Sequence, residues 1–221
     1  MYESEFPLDD SVIYLNHAAV SPWPLRSAAA VKRFADENVA YGSQNYPEWV
    51  QLETRLRKQL QRLVNADSSD EIALLKNTSE ALSVVAYGLP WQAGDKVVIT
   101  NREFPSNRVV WESLKKLGVS TIAADVTKHD SAEAAIIACL DENPRLLSVS
   151  SVQYGTGLKL DLPRLGAACR ERNILFCVDA IQSLGAEVFD VQACHADFVM
   201  ADGHKWMMGP EGIALFYCRQ S

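Results

Sequence analysis

Four short stretches of this 221-residue chain carry side chains capable of chemistry. The densest is ADGHKWMMGPEG at 201–212, where Lys205 lies between His204 and the bulky apolar trio Trp206, Met207 and Met208. An ammonium group is costly to desolvate, so such a lysine either reaches solvent from a loop or has a lowered pKa that frees its amine as a nucleophile. In VDAIQS at 178–183, Asp179 ends a strongly apolar run, where an unpartnered carboxylate is expensive. A cationic ring nitrogen would satisfy it, with Gln182 three residues on to meet a ring hydroxyl; the plainer alternative is a helix N-cap. NTSEAL at 77–82 opens a helix with Thr78 and Ser79. The free N–H groups of that turn, helped by two hydroxyls, make an anion site, although Thr or Ser followed by Glu is also a common capping box. In REFPSN at 102–107, Phe104 offers a flat face to an aromatic ring, or else serves as core or as a staple for the helix after Pro105.

Taken together, these stretches supply an anion cradle, a ring platform, an acid and an amine. Those are the needs of pyridoxal 5'-phosphate: phosphate anchorage, stacking, a partner for the pyridinium nitrogen and a Schiff-base lysine. A dinucleotide would want G-x-G-x-x-G between a strand and a helix, and that sequence does not occur here. Neither a P-loop nor a G-x-S-x-G elbow is present.

Such residues must be held at the ends of regular elements, and the pattern supplies them. Strand-like runs fall at EIALLK (71–76), KVVIT (96–100), VSTIAAD (119–125), LLSVSSV (146–152), LFCVDA (175–180), DFVMAD (197–202) and GIALFYC (212–218). Helical patterns separate most of them, which predicts an α/β fold: a three-layer α/β/α arrangement around a mostly parallel seven-stranded sheet. Only HKWMMGPE joins the last two strands, too short for a crossover helix, so the last strand is expected to run antiparallel. Ligands in such folds bind at the carboxyl ends of the parallel strands, where all four stretches fall. Ahead of the sheet, residues 1–24 read as an arm containing IYLNHAAV and the breaker SPWP. Residues 25–65 hold two helices, 25–40 and 49–64, and 66–221 form the cofactor-binding domain.

Bulk properties narrow the partners. Lys and Arg number 21 against 28 Asp and Glu, a net charge of −7, which argues against nucleic acid and anionic membrane. No apolar stretch approaches the roughly 18 residues of a membrane span, and MYESEFPLDD lacks the basic start of a signal peptide. The cysteines, at 139, 169, 177, 194 and 218, form no CxxC pair or zinc-like cluster, which fits a reducing, cytoplasmic compartment. Those at 139, 169 and 177 lie in apolar patterns and read as small hydrophobes.

VDAIQSLGAEVFDV, followed by ADGHKWMMGPEGIALFY, resembles the class V branch of fold type I pyridoxal-phosphate enzymes. That branch holds cysteine desulfurases and selenocysteine lyases, kynureninase, isopenicillin-N-epimerase-like proteins and some aminotransferases. The resemblance runs from YLNHAAVSPWP at residue 14 to the chain end. It implies that Lys205 is the catalytic Schiff-base lysine and that Asp179 keeps the pyridine nitrogen protonated. Gln182 meets the ring hydroxyl, Phe104 stacks on the ring, and Thr78, Ser79 and His204 hold the phosphate. Asn16 and His17 match the arm that approaches the substrate, and Gln153 or Tyr154 match a strand end behind the cofactor. An amino acid is the implied substrate, a homodimer the implied assembly, and transamination, β-elimination or epimerisation the implied reaction.

Three departures stand out. Desulfurases of this branch usually stack a histidine where Phe104 stands, so the chain resembles the kynureninase and epimerase branches more. Position 202 often carries a small hydroxyl residue; Asp202 would repel a phosphate and is expected to turn away. Family members are also longer, which implies that a C-terminal small domain, with its carboxylate-clamping arginine, is missing here. The alternative is therefore a catalytically incomplete fragment that binds the cofactor or dimerises.

Overall fold

A computed structural model describes residues 2–220. Helices α1 (Leu25–Tyr41) and α2 (Tyr46–Val64) precede an alternation of strands and helices. These are β1 (Ile72–Leu75), α3 (Thr78–Gly88), β2 (Lys96–Thr100), α4 (Ser106–Glu112), β3 (Ser120–Ala124), α5 (Ala132–Leu140), β4 (Leu146–Ser150), α6 (Leu162–Glu171), β5 (Leu175–Asp179), β6 (Phe198–Asp202) and β7 (Ala214–Cys218). The strands form one sheet in the order β1-β7-β6-β5-β4-β2-β3. Strands β2 to β6 pair in parallel, and β7 runs antiparallel to both β6 and β1, as the short final connection predicts.

Two-residue periodicity gives the inner strands two buried faces, while β1 and β3 at the sheet edges are only partly covered. On one side Val97, Ile99, Cys177, Met200 and Phe216 pack with Leu82 and Val85 of α3 and with Trp111 and Leu114 at and beyond α4. On the other, Val98, Leu147, Phe176, Val178, Val199 and Leu215 meet Ile136 and Leu140 of α5, Leu165 and Cys169 of α6 and Val64 of α2. Each fully buried side chain of this kind contributes about 1.5–3 kcal/mol, so the two layers clamp the strand ends firmly. Cys169 and Cys177 are buried and serve as the small hydrophobes their apolar neighbours suggest; Cys139 is partly buried.

Helix α2 begins three residues earlier than periodicity places it. Pro47 suits a first helical turn, and Glu37 of α1 accepts from Asn45 Nδ2 (3.2 Å) and Trp49 Nε1 (3.0 Å). Among the described residues no helix is long and apolar enough to cross a membrane.

The β5–β6 connection contains no helix and folds as turns against the segment after β6. Gly185 makes that approach possible. Its φ is +99°, and a Cβ there would lie 2.6 Å from the Trp206 carbonyl carbon and oxygen, beside Lys205. Gly185→Ala is therefore expected to cost about 1–3 kcal/mol and to lower the thermal midpoint by about 2–4 °C per kcal/mol. Gly88→Ala, where nothing lies within 4 Å, is the control; equal melting of the two variants would contradict the close approach.

Candidate active site

The carboxyl ends of β1, β2, β4, β5 and β6 open into one cleft of about 510 Å³. It is lined by Thr78, Ser79, Phe104, Asp179, Gln182, His204 and Lys205, together with Asn16 of the arm. All seven candidate cofactor residues are thus brought together. His17 is not among the lining residues; its ring stacks on Trp206 at 5.6 Å and meets Tyr14 edge-on at 5.4 Å. Tyr154 lines the cleft, whereas Gln153 is buried behind it.

The first turn of α3 is capped by Asn77, whose Oδ1 accepts from Glu80 N at 2.8 Å. Glu80 Oε2 in turn accepts from Lys76 N at 2.7 Å. Because Asn77 performs the capping, the hydroxyls of Thr78 and Ser79 are not needed for it. Thr78 is buried, and its Oγ1 has no hydrogen-bond partner among the described residues, a costly condition for a hydroxyl unless a ligand meets it. An orphan hydroxyl beside the free N–H groups of a helix start fits a phosphate group.

Asp179, at the end of β5, is 2% exposed and has no basic side chain in ion-pair range among the described residues. Its Oδ1 accepts from Ile181 N at 3.1 Å, in a turn rather than at a helix start, so it is not a helix N-cap. Burial pushes its pKa up to about 7; Glu103 and Asp202 add to the rise, while the Ile181 N–H and Lys205 oppose it. Lys205 is half-buried and shifts the other way. Burial lowers its pKa, and the charges of Asp179 and Asp202 hold back part of that fall. The lysine of the opening motif is therefore neither freely solvated nor locked in an ion pair, the condition under which an amine reacts.

Phe104 is exposed to the cleft rather than built into the core. Lys205 Nζ lies 5.8 Å from its ring centroid, and Tyr154 meets the ring edge-on at 5.0 Å. Behind it is a group that sequence reasoning missed. Glu103 is buried and accepts from Thr100 Oγ1 (2.7 Å), Asn107 Nδ2 (2.9 Å), Ser150 N (3.1 Å) and Gln153 Nε2 (3.0 Å). This network ties the β2 and β4 ends together and fixes the turn that presents Phe104. Its one sequence signal was an acid directly ahead of Phe104.

Gln182 has both amide ends engaged. Nε2 donates to Ala18 O at 3.0 Å, and Oε1 accepts from Trp206 Nε1 at 2.9 Å, leaving one N–H for a ligand. Ser21 N donates to His204 O at 2.8 Å, so the arm is sewn to the lysine loop. Asp202 corrects an expectation: it does not turn away. It is buried and lines the cleft, and its Oδ2 accepts from Thr78 N at 3.4 Å, drawn by the N–H groups and positive end of α3.

The raised pKa of Asp179 has a measurable sign. A carboxyl whose folded pKa exceeds its unfolded value binds protons more tightly on folding. Its stabilising contribution is complete below about 3.8 and is lost as pH rises through about 7. Asp179→Asn is expected to gain on the wild type progressively over that interval in urea-denaturation series. A difference that does not vary with pH would contradict the assignment.

Residues 13–221 match the family described as aminotransferase class-V. A probable cysteine desulfurase of Methanothermobacter thermautotrophicus is 34% identical over 219 residues, covering 97% of this chain and 54% of that protein. The apo structure of a cysteine desulfurase from Thermococcus onnurineus NA1 superposes with a TM-score of 0.86 at 28% identity, covering 99% of this chain and 56% of that one. A complex of the cystine C-S lyase C-DES with its reaction product cysteine persulfide gives 0.84 at 25% identity, covering 93% and 57%. The chain spans about half the length of the curated relatives it matches. Sequence match, sheet order and converging strand ends agree, and the chain belongs to the class-V aminotransferase family.

Proposed function

We propose that this chain carries the cofactor-binding apparatus of a pyridoxal-phosphate-dependent enzyme that acts on an amino acid through the amine of Lys205. The observation that carries this reading is the meeting, in one cleft, of a desolvated lysine, a buried carboxyl without an ion pair and an orphan hydroxyl at a helix start. Pyridoxal phosphate supplies an aldehyde that condenses with amines and a ring that stores the electron pair released at an α-carbon. Thr78, Ser79 and the N–H groups of α3 bind its phosphate, through charge-assisted hydrogen bonds worth about 1.5–3 kcal/mol each. Asp179 has Oδ2 left to face the ring nitrogen and hold its proton, and Phe104 covers a ring face. Lys205 Nζ takes and returns the α-proton, since burial disfavours its charged form.

Membership of the family and the names of the relatives favour a sulfur-containing amino acid, with cysteine the first to test. None of the five cysteines lines the cleft, so the chain brings no thiol of its own to that site. All five are free, which supports a reducing, cytoplasmic setting. We also infer a homodimer. Helix α1 has no buried residue, and Ile13, Leu15 and Val39 are almost fully exposed, an amount of apolar surface that marks an interface.

After incubation with pyridoxal phosphate and dialysis, the protein is expected to keep a yellow absorbance band that borohydride abolishes. Lys205→Ala should lack it, and cysteine should shift it in the wild type. A variant that keeps the same band would remove Lys205 from its role. Light scattering is expected to return twice the chain mass at high concentration; a monomer mass there would contradict the dimer.

A further inference from the structure

Asp202 presents a conflict that the proposed function does not absorb. Three features define it: the carboxylate is buried, it lines the cleft, and it occupies the start of α3 that the phosphate reading assigns to an anion. Its hold there is weak. The Thr78 N to Oδ2 distance of 3.4 Å is beyond the usual 2.7–3.2 Å range of such bonds. The other oxygen, Oδ1, is buried without a hydrogen-bond partner among the described residues, yet it lies 3.3 Å from His204 Nδ1 in a geometry that misses alignment. Thr78 Oγ1, also buried and unpartnered, borders the same space. One carboxylate thus stands between two donors and is well bonded to neither.

We propose that Asp202 is an internal occupant of the phosphate cradle, a carboxylate that holds the Thr78 N–H and yields it to an incoming phosphate ester by turning onto His204 Nδ1. This rests on the cofactor reading above. The turn converts a long hydrogen bond and a misaligned contact into one aligned Asp–His pair, and it frees the Thr78 N–H beside the already unpartnered Oγ1. Turning orients the imidazole through Nδ1 and leaves Nε2 as the atom available to the phosphate. It does not remove the charge. A carboxylate still borders the phosphate, so Asp202 acts as a specificity-determining residue that restrains affinity for the phosphate group itself.

The test compares pyridoxal phosphate with pyridoxal, which lacks the phosphate, in dissociation constants measured by absorbance titration. Wild type, Asp202→Asn and Asp202→Ser are used; the Asn variant keeps the shape of the side chain and an oxygen for Thr78 N. Both variants are expected to bind pyridoxal phosphate more tightly, by about tenfold or more, because a like charge is removed from a partly buried site. Pyridoxal binding should change by less than about twofold, which a general loosening of the cleft would not produce. Weaker binding of pyridoxal phosphate in both variants would overturn the proposal by showing that Asp202 supports the phosphate. Equal affinity would overturn it by showing that the two never meet. Failure of all three proteins to retain pyridoxal phosphate is a different result: it would remove the cofactor reading and this role with it.

Discussion

The site depends on one expensive arrangement: a carboxyl and an amine carried into a low-dielectric cleft without being allowed to pair. Asp179 is almost wholly buried at the end of β5, and Lys205 is half-buried on the loop after β6. Had they closed into an ion pair, each would have lost its chemistry to the other. Kept apart, the acid is driven toward its protonated form and the amine toward its neutral form. The apolar layers on both sides of the sheet make that separation possible, because β5 and β6 cannot shift without breaking the packing of Phe176, Val178, Val199 and Met200.

The surroundings are arranged to hold those two groups. Gly185 lets the turn after β5 press against the Trp206 backbone, which fixes the lysine loop from behind. Gln182 and Ser21 fasten the arm over the same loop, so three segments far apart in the chain share one set of hydrogen bonds. Glu103 does comparable work beneath Phe104, gathering the β2 and β4 ends with bonds from four side chains and a backbone N–H. The acids are not isolated from one another: Glu103 and Asp202 both add to the rise that burial imposes on Asp179.

Much of this was legible in the residues. Alternating apolar runs located every strand, and the brevity of HKWMMGPE was enough to reverse β7. Strand ends then predicted which residues would converge, and Thr78, Phe104, Asp179 and Lys205 all did. What escaped was the direction of individual side chains. Asp202 was expected to avoid the α3 start, but an N–H group contributed by a strand and helix far away in sequence draws it in. His17 sits beside Asn16 in the chain yet packs on Trp206 instead of entering the cleft. Capping fell to Asn77 rather than to the hydroxyl residues after it, a choice set by backbone geometry at one position. Such orientations depend on tertiary neighbours, and a pattern of types and spacings does not contain them.

The pairing of β1 has a consequence for how the molecule comes together. β1 lies at the edge of the sheet and bonds only to β7, with Ile72 opposite Tyr217 and Leu75 opposite Ala214. On the ribosome it emerges well before its one partner strand, which follows five other strands in the chain. Until then it has an open edge on each side, and the α3 start that follows it has no lysine loop to face. Parallel pairings among β2, β4 and β5 can form while synthesis continues, so the interior of the sheet matures ahead of its border. Joining strands so distant in the chain has an entropic closure cost that slows assembly, with an interval of exposed strand edge in which chaperone protection matters most.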